Sequence, residues 1–232
     1  MSDIERTDRL PAELPLNPMP LASSWIKEAS ARAVQRNPDA MTIVSIADDG
    51  KPSARVVLCK DFVTDPGYLV FYTNYRSRKG TELLANKNAA ALFHWDALGR
   101  QIRIEGTTTR SPEAESDAYF ETRHWGSQLG AWGSDQSAPV ESRDALVTQI
   151  SNRGIELGLS LENGTQRILN ENVPRIDRPP HWGGFRLWIT SIELWVEGVD
   201  RIHDRGLWSR DILNADREPF RMTPWSSTRL QP

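Results

Sequence analysis

Cations stand beside two apolar runs in RVVLCKDFVTDPGYLVFYTNYRSRKG, residues Arg55 to Gly80. Arg55 and Lys60 bracket Val56, Val57, Leu58 and Cys59; Arg78 and Lys79 stand at an expected helix start, where free backbone N–H groups favour anions. Guanidinium forks match phosphate oxygens, so the stretch has the make-up of a site for a phosphorylated ligand. Cations at strand ends and helix starts also occur as plain solvated surface. Tyr119 and Arg123, four apart on an expected helix, share a face, and Ser127 joins them if the turn at Gly126 stays close. A phenol, a guanidinium and a hydroxyl converging on one point make a second phosphate clamp; an ordinary exposed helix face has the same spacing. In Arg201-Ile202-His203-Asp204-Arg205, a strand would turn Arg201, His203 and Arg205 one way, as would a solvated edge strand.

The elements that must position these residues follow from periodicity and turn chemistry. Residues 1–19, with Pro11, Pro15 and Pro18, are expected as a flexible arm. Leu21, Trp25, Ile26, Ala29 and Ala33 recur at helical spacing up to Asn37-Pro38. Met41–Ala47 and Ser53–Lys60 read as strands joined by the hairpin signal Asp48–Lys51, and Tyr68–Thr73 as a third. A short helix is expected over Arg78–Asn86, then strands Ala89–Trp95 and Gln101–Thr109. Ser111-Pro112-Glu113 opens a helix running to about Arg123, and another is expected from Val140 to about Arg153. Leu157–Pro180 reads as irregular, followed by strands at Gly184–Ile189, Ile192–Val196 and Arg201–Leu207. Antiparallel neighbours with short turns predict a mainly β fold, a barrel with flanking helices. No G-x-G-x-x-G fingerprint supports a dinucleotide-binding unit.

Composition narrows the class. A chain of 232 residues with net charge −3 suits one domain with a real core and implies no polyanion-binding surface, so nucleic acid is not an expected partner. The single cysteine, Cys59, excludes a disulfide framework and a cysteine zinc site within the chain, and no metal is expected. The polar, proline-punctuated N-terminus lacks the apolar core of a secretory signal and no run reaches membrane-spanning length, so a cytoplasmic location is expected. Of nine tryptophans, Trp125, Trp132, Trp182, Trp188, Trp195, Trp208 and Trp225 fall in the second half, which suits a thick core or a dimer contact.

Seven blocks, RVVLCK, FYTNYRSRKG, GRQIRIEG, SDAYFETR, GSQLGAWGSDQS, HWGGFRL and VDRIHDR, run in order from about Asn37 to Arg205, with a weaker echo in WSSTRLQP. Together they resemble the FMN-dependent pyridoxamine 5′-phosphate oxidase family. The resemblance implies an FMN-binding split β-barrel of Greek-key type spanning residues 20–232. It also implies a C-terminal dimerisation segment and a homodimer with two flavin sites at its interface. It assigns FMN contacts to Arg55 through Lys60, Tyr72, Thr73, Arg78 and Lys79, and to Gln101, Gln136, Ser137, Trp195 and Arg205. It places the substrate phosphate on Lys60, Tyr119, Arg123 and Ser127, and the substrate ring against Arg201 and His203, the two residues expected to be catalytic. The implied reaction oxidises pyridoxamine or pyridoxine 5′-phosphate to pyridoxal 5′-phosphate, with O2 reduced to H2O2.

The chain departs from the family pattern in three places. The arm, IERTDRLPAELPL, has no tyrosine where many members carry an arginine and a tyrosine three apart; residues 157–178 and the tail after Arg205 also differ. A phenazine-biosynthesis-type FMN oxidase acting on a non-phosphorylated tricyclic substrate is the second reading, against which Tyr119, Arg123 and Ser127 argue. A flavin- or pyridoxal-phosphate-binding protein without turnover is the third, disfavoured through Arg201 and His203.

Overall fold

The computed structural model describes residues 9–162, 167–168, 174–214, 218 and 220–232. In chain order it contains α1 (Met19–Ala31), β1 (Ala40–Ile46), β2 (Pro52–Leu58), β3 (Asp61–Val63), β4 (Tyr68–Asn74), α2 (Arg78–Ala85), β5 (Asn88–Trp95) and β6 (Arg100–Arg110). There follow α3 (Glu113–Glu121), α4 (Trp125–Gly133), α5 (Arg143–Glu156), β7 (Leu161–Glu162), β8 (Arg167–Ile168), β9 (Trp182–Val196), β10 (Asp204–Ser209) and β11 (Ser226–Leu230). The fold is mainly β with flanking helices, as the alternating patterns predict. Nine strands form one sheet in the order β11-β10-β9-β6-β5-β1-β2, with β4 joined to β9 and β3 to β4.

Two compact units divide the chain, with boundaries that fall inside β4, β6 and β9: unit 1 is Met1–Phe71, Asn86–Thr109 and Arg186–Pro232, and unit 2 is Tyr72–Ala85 and Arg110–Phe185. In unit 1, β1 alternates strictly, with Met41, Ile43 and Ser45 buried, and pairs antiparallel with β2 from Ala40↔Leu58 to Ile46↔Pro52. A period of two places one side chain in two on the covered face. Unit 2 packs around Phe120, Leu129, Ile176 and Trp182, joined by Tyr72, Tyr119 and Trp132. Among the described residues no helix is long and apolar enough to cross a membrane.

Three sequence expectations need correction. Residues 184–196 are not two strands about Thr190-Ser191: β9 runs unbroken because Ser191 and Ile192 are held in register by Ser209 and Trp208 of β10. Arg201 is not on a strand. Val199–Arg201 form a 3₁₀ turn with Asp200 at φ 55° and Arg201 at φ 64°, and β10 begins only at Asp204, so Arg201, His203 and Arg205 share no strand face. The arm, where described, is docked in unit 1. Leu10 is buried and its N–H donates to Asp204 Oδ2 at 2.8 Å, while Trp208 Nε1 donates to the Pro15 carbonyl at 2.7 Å.

Candidate functional site

Unit 2 carries two clefts that share Asn74 and Gln136. The first, about 280 Å³, is lined by Arg76, Arg78, Ser137 and His181 beside those two. Its floor is set by the turn into α2: Ser77 Oγ donates to the Asn74 carbonyl at 2.6 Å and accepts the Gly80 N–H at 3.2 Å, which caps the helix and places Arg78 and Lys79 in its first turn. Lys79 Nζ donates to Gln136 Oε1 at 2.8 Å and to Thr73 Oγ1 at 3.1 Å, and Thr73 Oγ1 lies 3.2 Å from the same Gln136 oxygen. Arg78 Nε donates to the buried Glu82 carboxylate at 2.8 Å. Thus Thr73, Arg78, Lys79, Gln136 and Ser137, widely separated in sequence, are brought together, rich in donors suited to an anion.

The second cleft, about 220 Å³, is lined by Arg123, Ser127, Ser134 and Trp182 with the shared pair. Here α3 stops at Glu121 rather than at Arg123. The Arg123 N–H donates to the Phe120 carbonyl at 3.1 Å, and α4 starts after His124, whose Nδ1 accepts the Gly126 N–H. Arg123 therefore sits in the corner between two helices and Ser127 in the first turn of the next. Arg123 and Ser127 line one cleft, but the expected face shared by Tyr119 and Arg123 is not formed, because α3 ends before Arg123, and Gly126 lies inside α4 rather than at a turn. Tyr119 stacks on Tyr72 with centroids 3.9 Å apart and planes 9° apart, and Trp182 lies nearly parallel to both. The half-buried Arg123 guanidinium lies over the Trp182 ring at 4.5 Å and the Phe120 ring at 5.6 Å. Among the described residues its Nη1 is buried without a hydrogen-bond partner, and burial, partly offset by Tyr119, holds its pKa below the usual arginine value.

Unit 1 holds the remaining expected residues. On β2, Arg55 donates through Nη1 to Ser45 Oγ at 2.6 Å and through Nη2 to Ser53 Oγ at 2.5 Å; Val56 is exposed and Val57 and Leu58 are half-buried. Lys60 pairs with Asp39 at 2.8 Å. Cys59 is buried, and burial with the nearby Asp61 and Asp39 charges pushes its pKa up to about 12, so it is an inert core thiol. Gln101 lies on β6 opposite His94. Trp195 lies opposite Arg205 in the β9–β10 ladder and 4.5 Å from the His203 ring, whose Nδ1 accepts the Gly198 N–H. Arg205 Nε donates to Glu193 Oε1 at 2.7 Å, a bond that raises its pKa, and Arg103 Nη1 binds the other Glu193 oxygen at 2.8 Å.

A model described as pyridoxamine 5′-phosphate oxidase matches residues 27–153, and one described as pyridoxine 5′-phosphate oxidase C-terminal dimerisation region matches 182–232. The chain belongs to the pyridoxamine 5′-phosphate oxidase family. Relatives named pyridoxine/pyridoxamine 5′-phosphate oxidase from Burkholderia mallei and Burkholderia pseudomallei are 43% and 42% identical over 221 residues, 95% of this chain and 92% of theirs. Among solved structures, PhzG from Burkholderia lata 383 in complex with tetrahydrophenazine-1-carboxylic acid is 27% identical. It matches with a TM-score of 0.75 over 100% of this chain and 98% of that one. A pyridoxamine 5′-phosphate oxidase-related, FMN binding protein from Nostoc punctiforme shares the fold, with a TM-score of 0.58 at 18% identity over 89% of this chain and 96% of that one.

Within the family frame, the residues that sequence reasoning missed are Asn74, the wall common to both clefts, and Trp182, the plate under Arg123. Asn74 carried a signal: its side-chain oxygen accepts the Arg76 N–H at 2.8 Å, the asparagine turn motif, within YTNYRS. Trp182 carried one too, in HWGG. A Cβ on Gly183 would lie 2.2 Å from Tyr75 Oη, so only glycine lets the chain pass and leaves the preceding indole in place.

Proposed function

We propose that the protein is a cytoplasmic, homodimeric FMN-dependent oxidase that converts pyridoxamine and pyridoxine 5′-phosphates to pyridoxal 5′-phosphate while reducing O2 to H2O2. The observation that carries this reading is the Arg123 guanidinium, desolvated in the second cleft with Nη1 unpartnered beside Ser127. Burying such a donor costs stability unless a ligand satisfies it, and a phosphate ester does so with charge-assisted bonds.

FMN is the cofactor, and the donor chemistry fits it: Arg78 and Lys79 at a capped helix start, with Arg55, suit its phosphate, and Gln101, Gln136 and Ser137 suit its polar edges. When bound, FMN would supply a two-electron acceptor for the C4′ hydride and a means of reducing O2, and with the amine substrate water would hydrolyse the resulting imine and release ammonia. The chain's own residues supply placement. Arg123, Ser127, Tyr119 and Lys60 hold the ester phosphate, with Lys60 exchanging Asp39 for it. Arg201 and His203 hold the substrate ring, and His203 Nδ1 is held by the Gly198 N–H at 3.2 Å. No strong general base is called for, because hydride transfer depends chiefly on the position of the donor carbon.

The purified protein is expected to be yellow and to release peroxide and pyridoxal 5′-phosphate from pyridoxamine 5′-phosphate, with little turnover of the dephosphorylated amine. The full-length likeness to PhzG favours a second reading, an oxidase of a tricyclic substrate. Turnover of tetrahydrophenazine-1-carboxylic acid but not of the vitamin phosphate would select it.

A further inference from the structure

We propose that Trp182 is a positioning residue for substrate recognition: its indole face fixes the Arg123 guanidinium for the incoming phosphate without neutralising it. The inference rests on the reading of Arg123 as a phosphate ligand. Most arginines in ion pairs here, such as Arg178 with Asp117 at 2.6 Å, have a carboxylate to set their geometry. Arg123 has none among the described residues; two aromatic faces hold it instead, at 4.5 and 5.6 Å. The distinction is chemical. A carboxylate occupies guanidinium donors and must be displaced by a phosphate dianion, whereas a ring attracts the cation through its quadrupole and takes no N–H.

The plate itself is immobilised from several directions. The Trp182 N–H donates to the Pro179 carbonyl at 3.0 Å, its carbonyl accepts Arg178 Nη1 at 2.7 Å, its ring stacks on Tyr72 at 5.5 Å, and Phe120 meets it edge-on at 5.2 Å. Tyr72 in turn carries Tyr119 at 3.9 Å. The indole, held in this way, fixes where the guanidinium lies, 4.5 Å from its ring centre, and Tyr119 packs in the same cluster of nearly parallel rings, 3.9 Å from Tyr72 and 6.2 Å from Trp182.

The test uses the FMN-loaded protein as wild type, Trp182→Phe and Trp182→Leu, each with Arg123 and with Arg123→Ala, titrated calorimetrically with pyridoxal 5′-phosphate and with inorganic phosphate. Losing the cation–π contact is expected to weaken both ligands about tenfold in Trp182→Leu and about threefold in Trp182→Phe. KM should rise in step, with kcat within about twofold and FMN content unchanged, and neither variant should weaken binding further once Arg123 is alanine. Equal losses with and without Arg123, or no loss of phosphate affinity, would overturn the proposal. Should Trp182→Leu fail to fold, the Arg123-dependence of the loss in Trp182→Phe decides alone. A wild type that binds inorganic phosphate in an Arg123-dependent way but not pyridoxal 5′-phosphate would defeat the proposed activity and leave the role of Trp182 standing; one that binds neither defeats both.

Discussion

The protein handles its arginines in two opposite ways. Around Glu193, in unit 1, Arg103 and Arg205 share one buried carboxylate at 2.8 and 2.7 Å, and the Gln231 carbonyl takes a further Arg205 donor at 2.8 Å. Around Trp182, in unit 2, Arg123 is desolvated against rings with a buried donor left over. The first arrangement spends the cation on geometry: its direction is fixed by a carboxylate that it shares with a second guanidinium. The second leaves a buried donor unused, a cost in stability that contact with the aromatic faces offsets in part. Among the described residues the two guanidiniums thus differ in what fixes them, a carboxylate for Arg205 and aromatic faces for Arg123.

Arg123→Ala breaks that contrast most sharply. Two charge-assisted bonds are lost, so KM for the phosphorylated substrate should rise about 100-fold while FMN affinity stays unchanged. Because an unpaired buried donor is removed, the unfolding midpoint should not fall. Parallel loss of FMN would show that the second cleft holds the coenzyme instead. Glu193→Gln is the complementary variant. It leaves Arg103 and Arg205 facing a neutral amide, and stability measured by urea unfolding should drop by about 1–3 kcal/mol, with weaker FMN retention by Arg205 and little change in KM. An unchanged midpoint would mean that the two guanidiniums find water as good a partner as Glu193.

How far these arrangements can be seen in the chain alone depends on whether local rules or tertiary contacts set them. The β1–β2 hairpin, α2 and the Arg78–Lys79 pair were legible because alternation and a capping serine are local signals. The helix α4 was not, since Gly126, Gly130 and Gly133 give it a low helix propensity. A Cβ on Gly133 would lie 2.8 Å from Ile150 Cα, so that glycine is there to let α4 approach α5. The strands β3 and β11 are short and partly exposed, with no alternation to reveal them. In the candidate site, residue types were readable but pairing was not: nothing in the sequence separates Arg205, matched to Glu193, from Arg123, matched to no carboxylate among the described residues.

Arg201 offers a smaller test, in which strain rather than charge is held for function. Left-handed φ in a non-glycine residue costs about 1–2 kcal/mol, against about 0.5–1 kcal/mol of extra unfolded-chain entropy for glycine. Arg201→Gly is therefore expected to gain about 0.5 kcal/mol of stability while losing most turnover. A loss of both would place Arg201 among the structural cations, with Arg103, and remove it from the substrate wall.

The smallest effect concerns pH. The Glu28 carboxyl is held below its usual pKa of 4.5, first by the hydrogen bond from Arg100 and then by that from Arg32. A carboxyl whose folded value is depressed contributes stability above its unfolded pKa, and that contribution is lost as pH falls through the folded value. The loss should thus appear below about pH 4.5 and be modest, since Glu28 is more than a third exposed and solvent screens the pair. Arg100→Met should flatten the acid limb of the stability curve below about pH 4.5, leaving phosphate-ligand affinity at neutral pH untouched. A matched arginine answers to the protonation of its carboxylate; Arg123, which has none, should show no such limb of its own, and the same acid titration of Arg123→Ala should overlay the wild type.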